Sequence, residues 1–109
     1  MAVSPEFRDF VLDQLRGVVP VTSRAMFGGV GIYSGGTFFA LIADDVLYLK
    51  ADDVTRPAFE ARGCKAFSPY DNKVSMNYYE IPADVLEDED ALQNWTRDAI
   101  AVARRSKKK

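Results

Sequence analysis

Few residues in this chain have a type or spacing suited to chemistry. There is no histidine and only one cysteine among 109 residues. Ser-His and Cys-His nucleophile pairs, an internal disulfide and the commonest zinc ligand sets are therefore excluded. Ser34 lies at Gly-x-x-Ser rather than Gly-x-Ser spacing after Gly31, with no imidazole to take its proton. Cys64 stands between Gly63 and Lys65, where the cation could lower its pKa. The favoured reading of a lone cysteine entering a strand is a small buried hydrophobe. Asp44-Asp45 and Asp52-Asp53 are sequence neighbours whose carboxylates diverge, as in a turn and a helix cap, so no acid-base dyad follows from them. The run Glu87-Asp88-Glu89-Asp90 fits the positive end of a helix better than a calcium loop, whose ligands alternate around a turn. No catalytic residue, metal ligand or cofactor is expected.

The glycine-rich stretch RAMFGGVGIYSGG, residues 24–36, invites comparison with phosphate-binding loops. A P-loop needs Gly-Lys-Ser/Thr, and no lysine precedes Lys50. The dinucleotide pattern needs a third glycine that opens a helix, whereas Gly29-Val30-Gly31-Ile32-Tyr33-Ser34 puts serine there and continues as strand. Gly28-Gly29-Val30-Gly31 matches the Gly-x-x-Gly of a KH domain in letters only, because strands surround it and few basic residues are near. The glycines are expected to shape backbone instead. Gly28-Gly29 would supply a bend or bulge, Gly31 a close approach, and Gly35-Gly36 the positive φ angles of a tight hairpin.

The elements that would hold these residues can be read from periodicity and punctuation. Ser4-Pro5-Glu6 opens a helix with a cap and a proline at its first position; Phe7, Phe10, Val11, Leu15 and Val18 follow helical spacing, and Gly17 and Pro20 stop it. Strands are expected near Ser23–Phe27, Val30–Tyr33, Thr37–Ala43 and Val46–Lys50. Strict alternation in TFFALIA sets Phe38, Ala40 and Ile42 on one face and Phe39, Leu41 and Ala43 on the other, so both faces need a cover. Helices on one side, with a partner chain or the second terminal helix on the other, would supply it. A second helix starts after Asp52, capped by Asp53 or Thr55, and ends before Gly63. Cys64–Tyr70 and Val74–Ile81 read as a hairpin around Asp71-Asn72-Lys73, ended by Pro82. Ala91, Leu92, Trp95, Thr96, Ala99, Val102 and Ala103 mark a last helix.

Five of the 14 basic residues fall in the last six positions. Without them, nine face 16 acidic residues, a body charge of −7 that repels a phosphate backbone. Nucleic-acid contact is therefore confined to a tail at 104–109, through Arg104, Arg105, Lys107, Lys108 and Lys109, and the favoured reading of that tail is a mobile, solvated end. Residues 1–103 form a single domain on this reading. No apolar run spans a bilayer and the start MAVSPEFRDF is unlike a signal peptide, so a cytoplasmic location is expected. Among the aromatics, Tyr33, Tyr48, Tyr70, Tyr78, Tyr79 and Trp95 could line a ligand pocket together with Arg24, or form packing and subunit contacts, which is the favoured account. Tyr78 and Tyr79 must face opposite sides of their strand.

Three ordered motifs, Met26-Phe27-Gly28-Gly29, Leu47-Tyr48-Leu49-Lys50 and Met76-Asn77-Tyr78-Tyr79-Glu80-Ile81-Pro82, resemble the N-terminal domain of the TfoX (Sxy) family of competence regulators. The resemblance implies an α+β fold, an antiparallel sheet packed by terminal helices, similar to type III secretion chaperones, which commonly dimerise. It also implies a non-enzymatic regulatory or protein-interaction domain and a homodimer with an unknown regulatory protein partner; the lack of a long apolar run adds that no membrane association is expected. Two-domain members carry a second, helical domain; here a lysine tail follows instead. A nucleic-acid-associated regulator and a small-ligand-binding domain are the alternatives.

Overall fold

The computed structural model describes residues 3–26, 29–66 and 78–107, with the backbone alone at 26, 106 and 107. Helix α1 spans Pro5–Arg16; its cap is Ser4, whose hydroxyl oxygen accepts the Phe7 N–H at 3.2 Å, with proline at the first helical position. Four strands follow as a meander: β1 Thr22–Met26, β2 Gly29–Ser34, β3 Thr37–Ala43 and β4 Val46–Lys50. Helix α2 covers Arg56–Ala61, β5 Tyr78–Glu80, α3 Ala83–Leu86 and α4 Glu89–Lys107. The five strands pair antiparallel in chain order, β1 to β5.

The turns that set this order have local causes. Gly35 and Gly36 take φ of 57° and 81°, the paired positive values of a two-residue hairpin whose twist matches its strands. Asp44 and Asp45 do the same between β3 and β4, at 52° and 57°, and the Asp45 carboxylate accepts the Ser4 N–H at 2.7 Å, tying the start of α1 to that turn. Gly63, with φ of 72°, ends α2 from the position after its cap. Of the expected hairpin after α2, residues 67–77 lie outside the described residues. Its flanks agree with it, through an antiparallel Ala66–Tyr79 bridge and a Glu80 N–H donated to the Lys65 carbonyl.

Two expectations are corrected. The β2–β3 register shifts between Ile32 and Tyr33, making Phe39 an extra residue. Phe39 and Ala40 are both fully buried in the core, while Phe38 turns to the opposite face with Tyr33; a bulge breaks strict alternation because two residues oppose one. The terminal helices do not cover opposite faces. Val11, Leu12 and Leu15 of α1 and Leu92, Ala99, Ile100 and Ala103 of α4 share one core with Ile32, Ile42, Leu47 and Leu49, and α4 lies along β3 and β4. Helix α4 runs on past Ala103 through Arg104 and Arg105 to Lys107, as cations at a helix C-terminus favour. Short α3 was not expected.

Candidate functional site

Cross-strand pairs share a face, so the register defines the surface opposite the helices. One row runs Arg24, Gly31, Leu41, Tyr48, Glu80 across all five strands. Beside it, Tyr33 stands opposite Thr22 and Phe38, and its ring lies 5.2 Å from that of Phe38, which lies 5.6 Å from Tyr78. The Lys50 ammonium sits 5.0 Å from the Tyr78 ring centroid, a cation–π separation. Among the described residues no helix packs on this face. Tyr33, Phe38, Leu41 and Tyr48 are half-buried and Arg24 is exposed.

Arg24 and Tyr33 thus share a surface, as a pocket built from them would need, but among the described residues that surface is a sheet face with no element over it. Tyr78 and Tyr79 do diverge. Tyr78 joins the aromatic row, and Tyr79 stacks on Phe59 at 5.5 Å on the helix side. Burial, then the proximity of Tyr33, pushes the Tyr78 hydroxyl up to about 12. Burial, followed by the Glu80 and Asp44 charges, raises Tyr48 as well. Of the motif residues, Gly29 opens β2 and Glu80 closes β5; Phe27 and Gly28, and the side chain of Met26, lie outside the described residues. Phe38 and Leu41 were not singled out from sequence, because strict alternation separates them.

A second feature lies on the helix side, past the end of β4. A cavity of about 180 Å³ is lined by Lys50, Thr55, Ala58, Phe59, Asn94, Trp95, Asp98 and Ala99, between α2 and α4. Phe59 and Trp95 meet edge to face at 4.9 Å in its wall. The two helices are clamped around it. Asp52 Oδ1 accepts the Val54 and Thr55 N–H groups while the Thr55 hydroxyl accepts the Asp52 N–H, a reciprocal capping arrangement before α2. Of the expected caps Asp53 and Thr55, Thr55 does hold the N-cap position of α2, though its side chain makes no cap hydrogen bond there; the shared acceptor is Asp52. Its other oxygen receives Arg105 Nη2 at 2.7 Å, which holds the Asp52 carboxyl below its usual range. At the far end of α2, Arg62 pairs with Asp84 of α3 and lowers that carboxyl too.

The remaining chemical candidates are quiet. Burial first, then the Glu80 charge, raises the Cys64 thiol, so Lys65 does not activate it. Ser34 is buried. In the acidic run, Asp88 accepts the Ala91 N–H at 3.1 Å, and Glu89 and Asp90 occupy the first turn of α4. Among the described residues no cluster of Cys, Asp and Glu is arranged to hold a metal, and no helix is long and apolar enough to cross a membrane. Of the proposed nucleic-acid contacts, Arg104 is exposed on α4, Arg105 is engaged with Asp52, and Lys108 and Lys109, like the Lys107 side chain, lie outside the described residues.

Compared with known families, residues 13–103 match the TfoX N-terminal domain. The chain belongs to that family. The match takes in the end of α1, the whole sheet and α4 as far as Ala103, so all three motif segments lie inside it. The chain is also similar to "DNA transformation protein TfoX1" of Aliivibrio fischeri (strain ATCC 700601 / ES114), 32% identical over 60 residues. That alignment covers 53% of this chain and 29% of the relative, so the chain spans under a third of the relative it matches.

Proposed function

We propose that this TfoX N-terminal domain is a non-enzymatic regulatory module of DNA transformation that acts by protein contact through its open sheet face and self-associates there. The observation that carries the reading is the surface of half-buried Tyr33, Phe38, Leu41 and Tyr48 around the buried Tyr78 ring, flanked by exposed Arg24 and free of any described helix. Contiguous apolar patches rimmed by polar groups mark interaction sites, and Tyr, Phe and Arg are enriched at their centres. Family membership and the name of the Aliivibrio relative support the regulatory assignment. Paired copies also fit the likeness to type III secretion chaperones that the family resemblance implies. The absence of any histidine, with Cys64 raised, supports a non-enzymatic role. A cytoplasmic location belongs to the same reading.

The test is a dilution series followed by amide NMR shifts. The reading expects concentration-dependent shifts at Gly31, Tyr33, Leu41 and Tyr48, with those of α1 unchanged. Shifts confined to the helical face, or none from dilute solution to tens of micromolar, contradict it.

A further inference from the structure

The sheet face opposite the helices carries unlike charges at its two edges. The row Arg24, Gly31, Leu41, Tyr48, Glu80 begins with a guanidinium on β1 and ends with a carboxylate on β5, with Leu41 of β3 at its middle. Leu41, Tyr48 and Glu80 project away from the core because their neighbours Ile42, Leu49 and Tyr79 pack in or against it, and Arg24 shares their face through its pairing with Gly31. Four strand spacings of about 4.8 Å hold the two charges roughly 19 Å apart, so they cannot neutralise each other within one chain. Among the described residues neither has an ion pair, and the Glu80 carboxylate has a single long polar contact, the Lys65 N–H at 3.5 Å. Arg24 is exposed and Glu80 half-buried.

We infer that two copies stack sheet to sheet about a two-fold axis running along β3, so that Arg24 of each copy meets Glu80 of the other. The inference rests on the self-association proposed above and names its geometry. Sheets packed face to face keep their strands aligned to within about 30°, and two identical sheets can be aligned about either of two axes. An axis across the strands sets each strand on its own copy, Arg24 on Arg24 and Glu80 on Glu80, and like charges across an interface oppose association. An axis along β3 reverses the strand order, β1 over β5, and turns both contacts into arginine–carboxylate pairs. Leu41 then meets Leu41 at the centre, with the charges at the rim, the usual anatomy of an interface. The same rotation carries Lys50, one strand in from β5, over β2 of the second copy at the level of Tyr33, so this cation also meets an aromatic ring and not a like charge.

Charge reversal in the whole chain tests the axis by sedimentation equilibrium from dilute solution to tens of micromolar. Arg24→Glu and Glu80→Arg each set like charges at both rims, so each variant alone should self-associate at least about tenfold more weakly than wild type. The double variant restores both pairs and should return to the wild-type affinity. An equimolar mixture of the two single variants should dimerise as well, which shows that both are folded. Native mass spectrometry of isotope-labelled wild type mixed with the double variant should show no mixed dimers, because every rim contact between them is a like-charge one. A dimeric wild type whose affinity neither single variant changes, a double variant no tighter than the single ones, or abundant mixed dimers overturns the axis along β3 and leaves self-association standing. A single-chain mass for wild type overturns both.

Discussion

Replacing Asp52 separates two contributions that converge on one carboxylate. Asp52→Asn keeps an oxygen for the Val54 and Thr55 N–H groups but removes the charge facing Arg105. The Arg105 and Asp52 side chains are 54% and 27% exposed, so the lost pair is worth about 0.2–1 kcal/mol, the range of solvent-exposed ion pairs. Asp52→Ala also removes the capping acceptor, a further ~0.5–2 kcal/mol. Urea denaturation should rank the variants wild type, Asp52→Asn, Asp52→Ala, and a double-mutant cycle with Arg105→Gln should return only the smaller energy. The pH dependence follows from the direction of the shift. The folded carboxyl lies below its ordinary value, so its contribution is complete above the unfolded value of about 3.9 and is lost as pH falls through the folded one. The gap between wild type and Asp52→Asn should therefore close in acid. Equal costs for Asn and Ala, or a gap constant from neutral pH down to strong acid, would refute the reasoning.

Four further outcomes follow from the packing. Phe59→Ala removes a buried ring held between Tyr79 and Trp95; denaturation should show a loss of about 3–5 kcal/mol, with Trp95 emission shifted to the red. Thr96 is fully buried on α4 and its hydroxyl has no partner among the described residues, so Thr96→Val should raise stability by ~1 kcal/mol in the same assay. Tyr78, pushed up to about 12, binds its proton more tightly folded than unfolded; stability should fall between pH 10 and 12 by an order of ~2–3 kcal/mol, and Tyr78→Phe should flatten that loss. Gly35→Val places a β-branched residue at φ of 57°, with open space around it; backbone strain alone should cost at least ~1–2 kcal/mol in urea denaturation, and unchanged stability would contradict it.

The sheet was legible where the chain punctuates itself. Gly35-Gly36 and Asp44-Asp45 fix β3 and β4 to the residue, because positive φ at both turn positions leaves one hairpin geometry. The facing of β3 was not legible: TFFALIA is apolar at nearly every position, so nothing in it reports that Phe39 is the extra residue opposite Ile32. Arg24, Tyr33 and Tyr78 were legible as candidates because of their types, yet their company was not. Phe38 reaches their face only through the bulge. The cavity had no signal in sequence, since Phe59 and Trp95 read as ordinary helix anchors and only tertiary packing brings α2 to α4. Arg105 read as a free basic residue, and its engagement by Asp52 depends on the same packing.

Self-association through the aromatic sheet face is read directly by solution scattering of the whole chain at tens of micromolar. The mass should be twice 12.1 kDa for wild type and close to the single value for Leu41→Lys, which puts a charge at the centre of that face. A single-chain mass for wild type, or a doubled mass retained in Leu41→Lys, would contradict self-association through the sheet.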